Sequence, residues 1–206
     1  MTALDILRAD RVAAVVRAAR VRDPRRLADT LAAGGVRCVE FTFTIPHVCD
    51  ILAAAAGTKA TLGAGTVLSA EQAHAAIDAG AEFVVTPTVI AEVAEACHER
   101  GVPFFLGAHT ASEVLAAHRL GSAAVKVFPA STGGPAHLKN LRGPFPDIPL
   151  VPSGGVTSSN ASAFLDAGAI AVFAGSDLVS PSMVENEEYD EVLRNARAFS
   201  AVVLAH

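Results

Sequence analysis

The chain has 206 residues, 51% of them hydrophobic, enough for one domain with a sizeable core and short for two. A formal net charge of −5, from 16 basic and 21 acidic residues, with one Tyr, no Trp and no basic stripe, argues against nucleic-acid binding. Cys38, Cys49 and Cys97 are scattered and form no CxxC, which argues against a disulfide framework or a structural zinc site and suits a reducing cytoplasm.

A short N-terminal helix is expected first. Its Asp5, Arg8 and Asp10 break any signal-peptide apolar segment, and no later apolar run reaches membrane-spanning length. The first strand is expected over residues 12–17, followed by a helix over 23–33 with Asp23 as cap and Pro24 in the first helical position. A second strand over 36–42 and a third over 61–65 lead to a helix over 69–79, where Ser69 and Gln72 have capping-box spacing. Strand four (83–86) precedes a helix over 91–100 that stops at Gly101, and strand five (104–107) precedes one over 112–120 that stops at Gly121. Strands six (123–128), seven (150–153) and eight (170–174) follow, with a helix over 159–167 after the seventh and a last helix over 186–204.

A repeated phrase ties these elements together. Ala33-Gly34-Gly35-Val36, Asp78-Ala79-Gly80-Ala81 and Asp166-Ala167-Gly168-Ala169 each end a helix on glycine and enter a strand. That is the pattern of βα repetition and implies a parallel sheet. Eight units in one small domain imply an α/β fold, a (β/α)8 TIM barrel with a short N-terminal helix, spanning residues 1–206. A doubly wound open sheet is the rival; eight strands and the lack of a GxGxxG after the first weigh against it.

Within this frame one residue stands out. The chain has three lysines, and Lys126 lies in the apolar run Ala123-Ala124-Val125-Lys126-Val127-Phe128-Pro129. A lone ammonium in a buried strand is costly unless it is paired or loses its proton, and a neutral lysine is a nucleophile toward carbonyls. In strand two, period-two alternation sets Cys38, Glu40 and Thr42 on one face and Val39, Phe41 and Phe43 on the other. If the bulky set meets the helices, Glu40 points into the barrel, as Lys126 does from strand six. A plain buried ion pair is the alternative to a catalytic pair.

The mouth of the barrel offers further groups. Strand three ends Gly63-Ala64-Gly65-Thr66-Val67, where small residues let a ligand approach the backbone. Pro152-Ser153-Gly154-Gly155-Val156 and Ala174-Gly175-Ser176 follow the last two strands, where exposed N–H groups and helix starts favour a phosphate or another anion. The seven histidines show no metal-binding spacing; His109, after strand five, is a candidate for the mouth, and Ser131 to Gly134 read as a polar loop.

Lys126-Val127-Phe128-Pro129-Ala130, Gly63-Ala64-Gly65-Thr66-Val67, Val39-Glu40-Phe41-Thr42, Pro152-Ser153-Gly154-Gly155-Val156, Gly143-Pro144-Phe145-Pro146 and Gly175-Ser176 together resemble the KDPG/KHG aldolases, in register over essentially the whole chain. These enzymes act on 2-keto-3-deoxy-6-phosphogluconate or 4-hydroxy-2-oxoglutarate. The resemblance implies a class I aldolase, an aldehyde-lyase with a small 2-keto acid substrate. It also implies a homotrimer with no metal and no cofactor beyond a covalent Schiff base. Lys126 matches the Schiff-base lysine and Glu40 the general acid/base. The substrate-binding set it implies is Arg17, Thr44, Thr66, Pro87, Phe128, Ser153, Gly154, Gly155, Gly175 and Ser176, with Thr66 near the pyruvate carboxylate, Phe128 and Pro129 in the pocket wall beside the lysine, and Ser153, Gly154, Gly155 and Ser176 near the phosphate.

Two departures matter. Many members carry T-L-R-T after the glutamate, and its arginine pairs with the pyruvate carboxylate; here the stretch is Thr42-Phe43-Thr44-Ile45. Members with this T-F-T-x-P form have an arginine ending the first strand, so Arg17 is expected to take that role. After strand five the common P-G-x-x-T is Leu106-Gly107-Ala108-His109-Thr110, which bears on the aldehyde-side preference. The functions implied are cleavage of the phosphogluconate substrate or, alternatively, of its galactonate counterpart or 4-hydroxy-2-oxoglutarate. A non-catalytic sugar-acid-binding barrel is the reading from another class.

Overall fold

The computed structural model describes residues Met1–His206. In chain order they form α1 (Ala3–Asp10), β1 (Val12–Val16), α2 (Pro24–Ala33), β2 (Cys38–Thr42), α3 (Val48–Ala54), β3 (Thr61–Gly65), α4 (Ala70–Asp78), β4 (Phe83–Val85), α5 (Ala91–Arg100), β5 (Phe104–Phe105) and β6 (Gly107–Ala108). Then come α6 (Ala111–Arg119), β7 (Val125–Val127), α7 (Gly134–Arg142), β8 (Leu150–Pro152), α8 (Ala161–Asp166), β9 (Val172–Ala174), α9 (Pro181–Glu185) and α10 (Tyr189–Leu204).

All strand pairs are parallel, in two arcs ordered β5-β4-β3-β2-β1-β9 and β6-β7-β8. A parallel bridge from Ser153 to Phe173 joins β8 to β9, and only Leu106 separates β5 from β6, so the arcs meet at both ends. The curled parallel sheet with outer helices is the expected barrel. The expected fifth strand is divided in two, for a local reason. Leu106 donates its N–H to Ser122 Oγ at 2.8 Å and Gly107 donates its own to Thr86 Oγ1 at 3.1 Å. Hydroxyls from neighbouring segments thus take donors that a continuous ladder would use.

Two apolar clusters result from the alternation along the strands. The larger, of 54 buried residues, holds Val39, Phe41, Val125 and Val127 and fills the space between strands and helices. The smaller, of 11, is the barrel interior: Ala13, Cys38, Phe83, Val85, Phe105, Ala124, Val151, Ala171 and Phe173 join Ala3 and Leu7 of α1. Helix α1 therefore plugs one end, and Cys38 Sγ donates to the Ala3 carbonyl at 3.7 Å. The rings of Phe83, Phe105 and Phe173 meet edge to face with centroids 5.9 and 5.8 Å apart. Each fully buried large side chain contributes about 1.5–3 kcal/mol.

Most helices lie where the sequence signals place them. The repeated phrase turns where expected, with Gly35, Gly80 and Gly168 at φ of 90°, 102° and 96°. Ser69 accepts the Gln72 N–H at 3.3 Å, but Gln72 Oε1 accepts from Leu68 N–H at 2.7 Å, one residue before the position a capping box requires. Complete boxes stand instead at Thr2/Asp5 and Thr110/Glu113, so α6 starts at Ala111. Helices α3, α7 and α9 were not expected. Helix α7 replaces part of the loop read around Gly134, and Ala130–Thr132 form a 3-10 turn before it. The last helix starts at Tyr189, three residues later than expected, because α9 and a turn occupy the approach.

Candidate active site

Strand register brings the two singled-out charges to the inside of the barrel. Glu40 lies between Val15 and Gly63 of the flanking strands, and Lys126 lies between Gly107 and Val151. Their neighbours two residues earlier, Cys38 and Ala124, belong to the interior cluster. Glu40 is 1% exposed and Lys126 5%. Room for the carboxylate comes from Gly65, where a Cβ would overlap the Glu40 side chain.

The two are electrostatically coupled without being bonded. Neither Glu40 oxygen has a hydrogen-bond partner, so the plain buried ion pair does not form. The Lys126 ammonium nitrogen lies 5.3 Å from the Phe128 ring centroid. Burial pushes the Glu40 carboxyl above its usual range, opposed by the positive charges of Lys126 and Arg17. Burial pulls the Lys126 amine below its usual range; Glu40 opposes that and Arg17 adds to it. Both shifts favour the neutral forms, and a buried amine biased that way beside a carboxyl biased toward its protonated form is suited to carbonyl addition.

Lys126 opens into a cavity of about 500 Å³. Its lining includes Arg17, Thr66, Pro87, Phe128, Ser153, Gly154, Gly155, Gly175 and Ser176, all in the expected substrate-binding set. Thr44 is outside the lining: it is exposed, and its Oγ1 is 2.7 Å from Thr42 Oγ1. Glu40 sits behind the cavity wall rather than on it. Val15, Val156, Thr157, Phe173, Asp177, Val179 and Pro181 also line the space and were not anticipated. The signal for several of them was their place directly after the glycines that follow β8 and β9.

Local backbone geometry marks the same region. Thr66, at the end of β3, has φ of 55°, a left-handed conformation that a β-branched residue adopts at a cost of roughly 1–3 kcal/mol. The N–H groups of Gly154, Gly155, Gly175 and Ser176 donate to no protein acceptor. They come from loops: α8 begins only at Ala161 and α9 at Pro181, so the helix-start component of the anion-site reading does not hold. Arg17 is exposed at the cavity edge, and no arginine follows Glu40 on β2. His109 does not line the cavity. Its ring stacks on His137 with centroids 4.6 Å apart, and His137 Nε2 lies 2.7 Å from the His109 carbonyl. No group of three or more His, Cys, Asp or Glu residues is placed to hold a metal ion, and no helix is long and apolar enough to cross a membrane.

A family model described as KDPG and KHG aldolase matches residues 4–195. The chain belongs to this aldolase family. A 2-dehydro-3-deoxy-phosphogluconate aldolase of Pseudomonas aeruginosa is 35% identical over 195 residues, covering 93% of this chain and 89% of the relative. A 2-dehydro-3-deoxy-6-phosphogalactonate aldolase of Escherichia coli is 39% identical over 136 residues, 66% of this chain and 64% of that one. Among solved structures, a KDPG aldolase of Legionella pneumophila superposes with a TM-score of 0.89 at 28% identity, covering 97% of this chain and 98% of the other. That structure holds pyruvate as a covalent carbinolamine intermediate. The family is one of carbon–carbon lyases.

Proposed function

We propose that this aldolase reversibly cleaves 2-keto-3-deoxy-6-phosphogluconate to pyruvate and glyceraldehyde 3-phosphate through a Schiff base on Lys126. The observation that carries the reading is a buried lysine facing a cavity with an unbonded, buried carboxyl behind it. The neutral amine adds to the C2 ketone to give a carbinolamine, and loss of water gives the iminium. Glu40, through a water, supplies and removes the protons of these steps. A base takes the C4 hydroxyl proton, the C3–C4 electron pair flows into the iminium, and the aldehyde leaves. Protonation of the remaining enamine at C3 and hydrolysis release pyruvate and restore the amine. No cofactor takes part, since the iminium is the electron sink.

Arg17 and Thr66 are assigned to the pyruvate carboxylate, Pro87 and Phe128 to the walls beside the lysine, and Ser153, Gly154, Gly155, Gly175 and Ser176 to the phosphate. Thr44, outside the cavity, keeps no direct role. Residues 1–206 act as one aldolase domain, assembled as a homotrimer in the reducing cytoplasm that three free cysteines suit.

Steady-state comparison of the phosphogluconate substrate, its galactonate epimer and 4-hydroxy-2-oxoglutarate tests this assignment. The highest kcat/KM is expected for the first, with glyceraldehyde 3-phosphate as product. Preferential release of glyoxylate would replace it with the 4-hydroxy-2-oxoglutarate reading, and pyruvate adduct without turnover would leave a sugar-acid-binding barrel. Arg17→Ala is expected to weaken pyruvate binding by about tenfold or more, the loss of one charged hydrogen-bonding partner. Unchanged pyruvate affinity would return the carboxylate to other groups.

A further inference from the structure

The cavity contains one acid that the cleavage chemistry does not use. Asp177 follows β9 and lines the cavity together with Ser153, Gly154, Gly155 and Ser176. Its Oδ2 accepts the Ser158 N–H at 2.7 Å, which ties the loop after β9 to the loop after β8. It is exposed and makes no ion pair. The unpaired N–H groups of Gly154, Gly155, Gly175 and Ser176 form a donor set suited to an anion. No basic side chain stands among these loop residues, and the cations of the cavity are Lys126 and Arg17. Lys126 becomes the iminium, and Arg17 is assigned to the carboxylate end. An anion that reaches the loop amides therefore meets a carboxylate that no local cation offsets.

We propose that Asp177 is a specificity-determining residue: its carboxylate lowers the preference of this end of the cavity for a doubly charged phosphate over an uncharged hydroxyl terminus. The inference rests on the reading of the cavity as an aldolase site. Repulsion by a fixed charge scales with the charge of its partner, so a phosphate dianion is penalised and a hydroxyl is not. A structural role alone, tying the two loops, would act on every substrate equally.

The two roles separate because Asp177→Asn keeps an acceptor for the Ser158 N–H and removes only the charge, whereas Asp177→Ala removes both. The readout is the ratio of kcat/KM for 2-keto-3-deoxy-6-phosphogluconate to that for 2-keto-3-deoxygluconate. Asp177→Asn is expected to raise this ratio by about fivefold or more at low ionic strength, a gain that shrinks in roughly 0.5 M salt. An unchanged or lowered ratio in Asp177→Asn overturns the proposal. So does a silent Asp177→Asn beside an Asp177→Ala that depresses both substrates equally. Borohydride trapping of pyruvate, which reports on the lysine end, is run on the same proteins. Adduct with an unchanged ratio rejects the role of Asp177 and leaves the aldolase reading standing; no adduct on any of them rejects both.

Discussion

Borohydride added together with pyruvate is expected to fix one pyruvate-derived group on the wild-type chain, at Lys126, and none on Lys126→Ala. The other two lysines, Lys59 and Lys139, are exposed and do not line the cavity. Lys126, by contrast, faces the cavity and is held toward its neutral form by burial. Intact-mass measurement followed by peptide mapping distinguishes the three sites. The same substitution is expected to lower kcat/KM by on the order of 10⁴-fold or more, as removal of a covalent nucleophile does. An adduct that persists on Lys126→Ala, or an Ala variant that retains turnover, would reject the Schiff-base assignment.

Why this lysine was legible in the sequence, and other parts of the site were not, follows from the range of the interactions involved. A charge inside an apolar run is a local anomaly, and period-two alternation carries it to the barrel interior without reference to anything distant. The same alternation placed Glu40, and the glycines that end helices placed the strands. The division of the fifth strand depends on hydroxyls from Thr86 and Ser122, each many residues from the donor it binds. His109 reads locally as a mouth residue, yet its ring stacks on His137 of α7 and lies outside the cavity lining. Helix α3 has no side-chain cap and starts after a left-handed His47, so no local signal announces it. Asp177 follows a recognised glycine turn, but its significance comes from sharing the cavity lining with Ser153 to Gly155 and from its hydrogen bond to Ser158, which depend on β8 meeting β9.

Replacing both inner ionisable groups, as Lys126→Met with Glu40→Met, is expected to raise Tm by about 2–16 °C while abolishing activity. Buried charges without full hydrogen bonding cost more than apolar side chains of similar length, by about 1–4 kcal/mol, and each kcal/mol moves Tm by about 2–4 °C in a chain of this size. The single variants should separate the two contributions by pH. With Lys126→Met, Glu40 is left alone with a folded-state pKa raised by burial. The folded state then holds that proton more tightly than the unfolded state. Stability is fullest below the ordinary carboxylate range and is lost as pH rises through the raised folded value. With Glu40→Met, Lys126 has a folded-state pKa lowered by burial, so the unfolded state binds the proton more tightly and stability grows as pH rises from the lowered value toward the ordinary lysine value. Thermal unfolding across pH should therefore give slopes of opposite sign for the two single variants and little slope from either group in the double variant. Parallel slopes, or a double variant less stable than wild type, would mean that the pair is held by compensating contacts and is a structural element. Opposite slopes would show that burial penalises the ionised form of each group, so that the fold carries an amine and a carboxyl at a cost in stability.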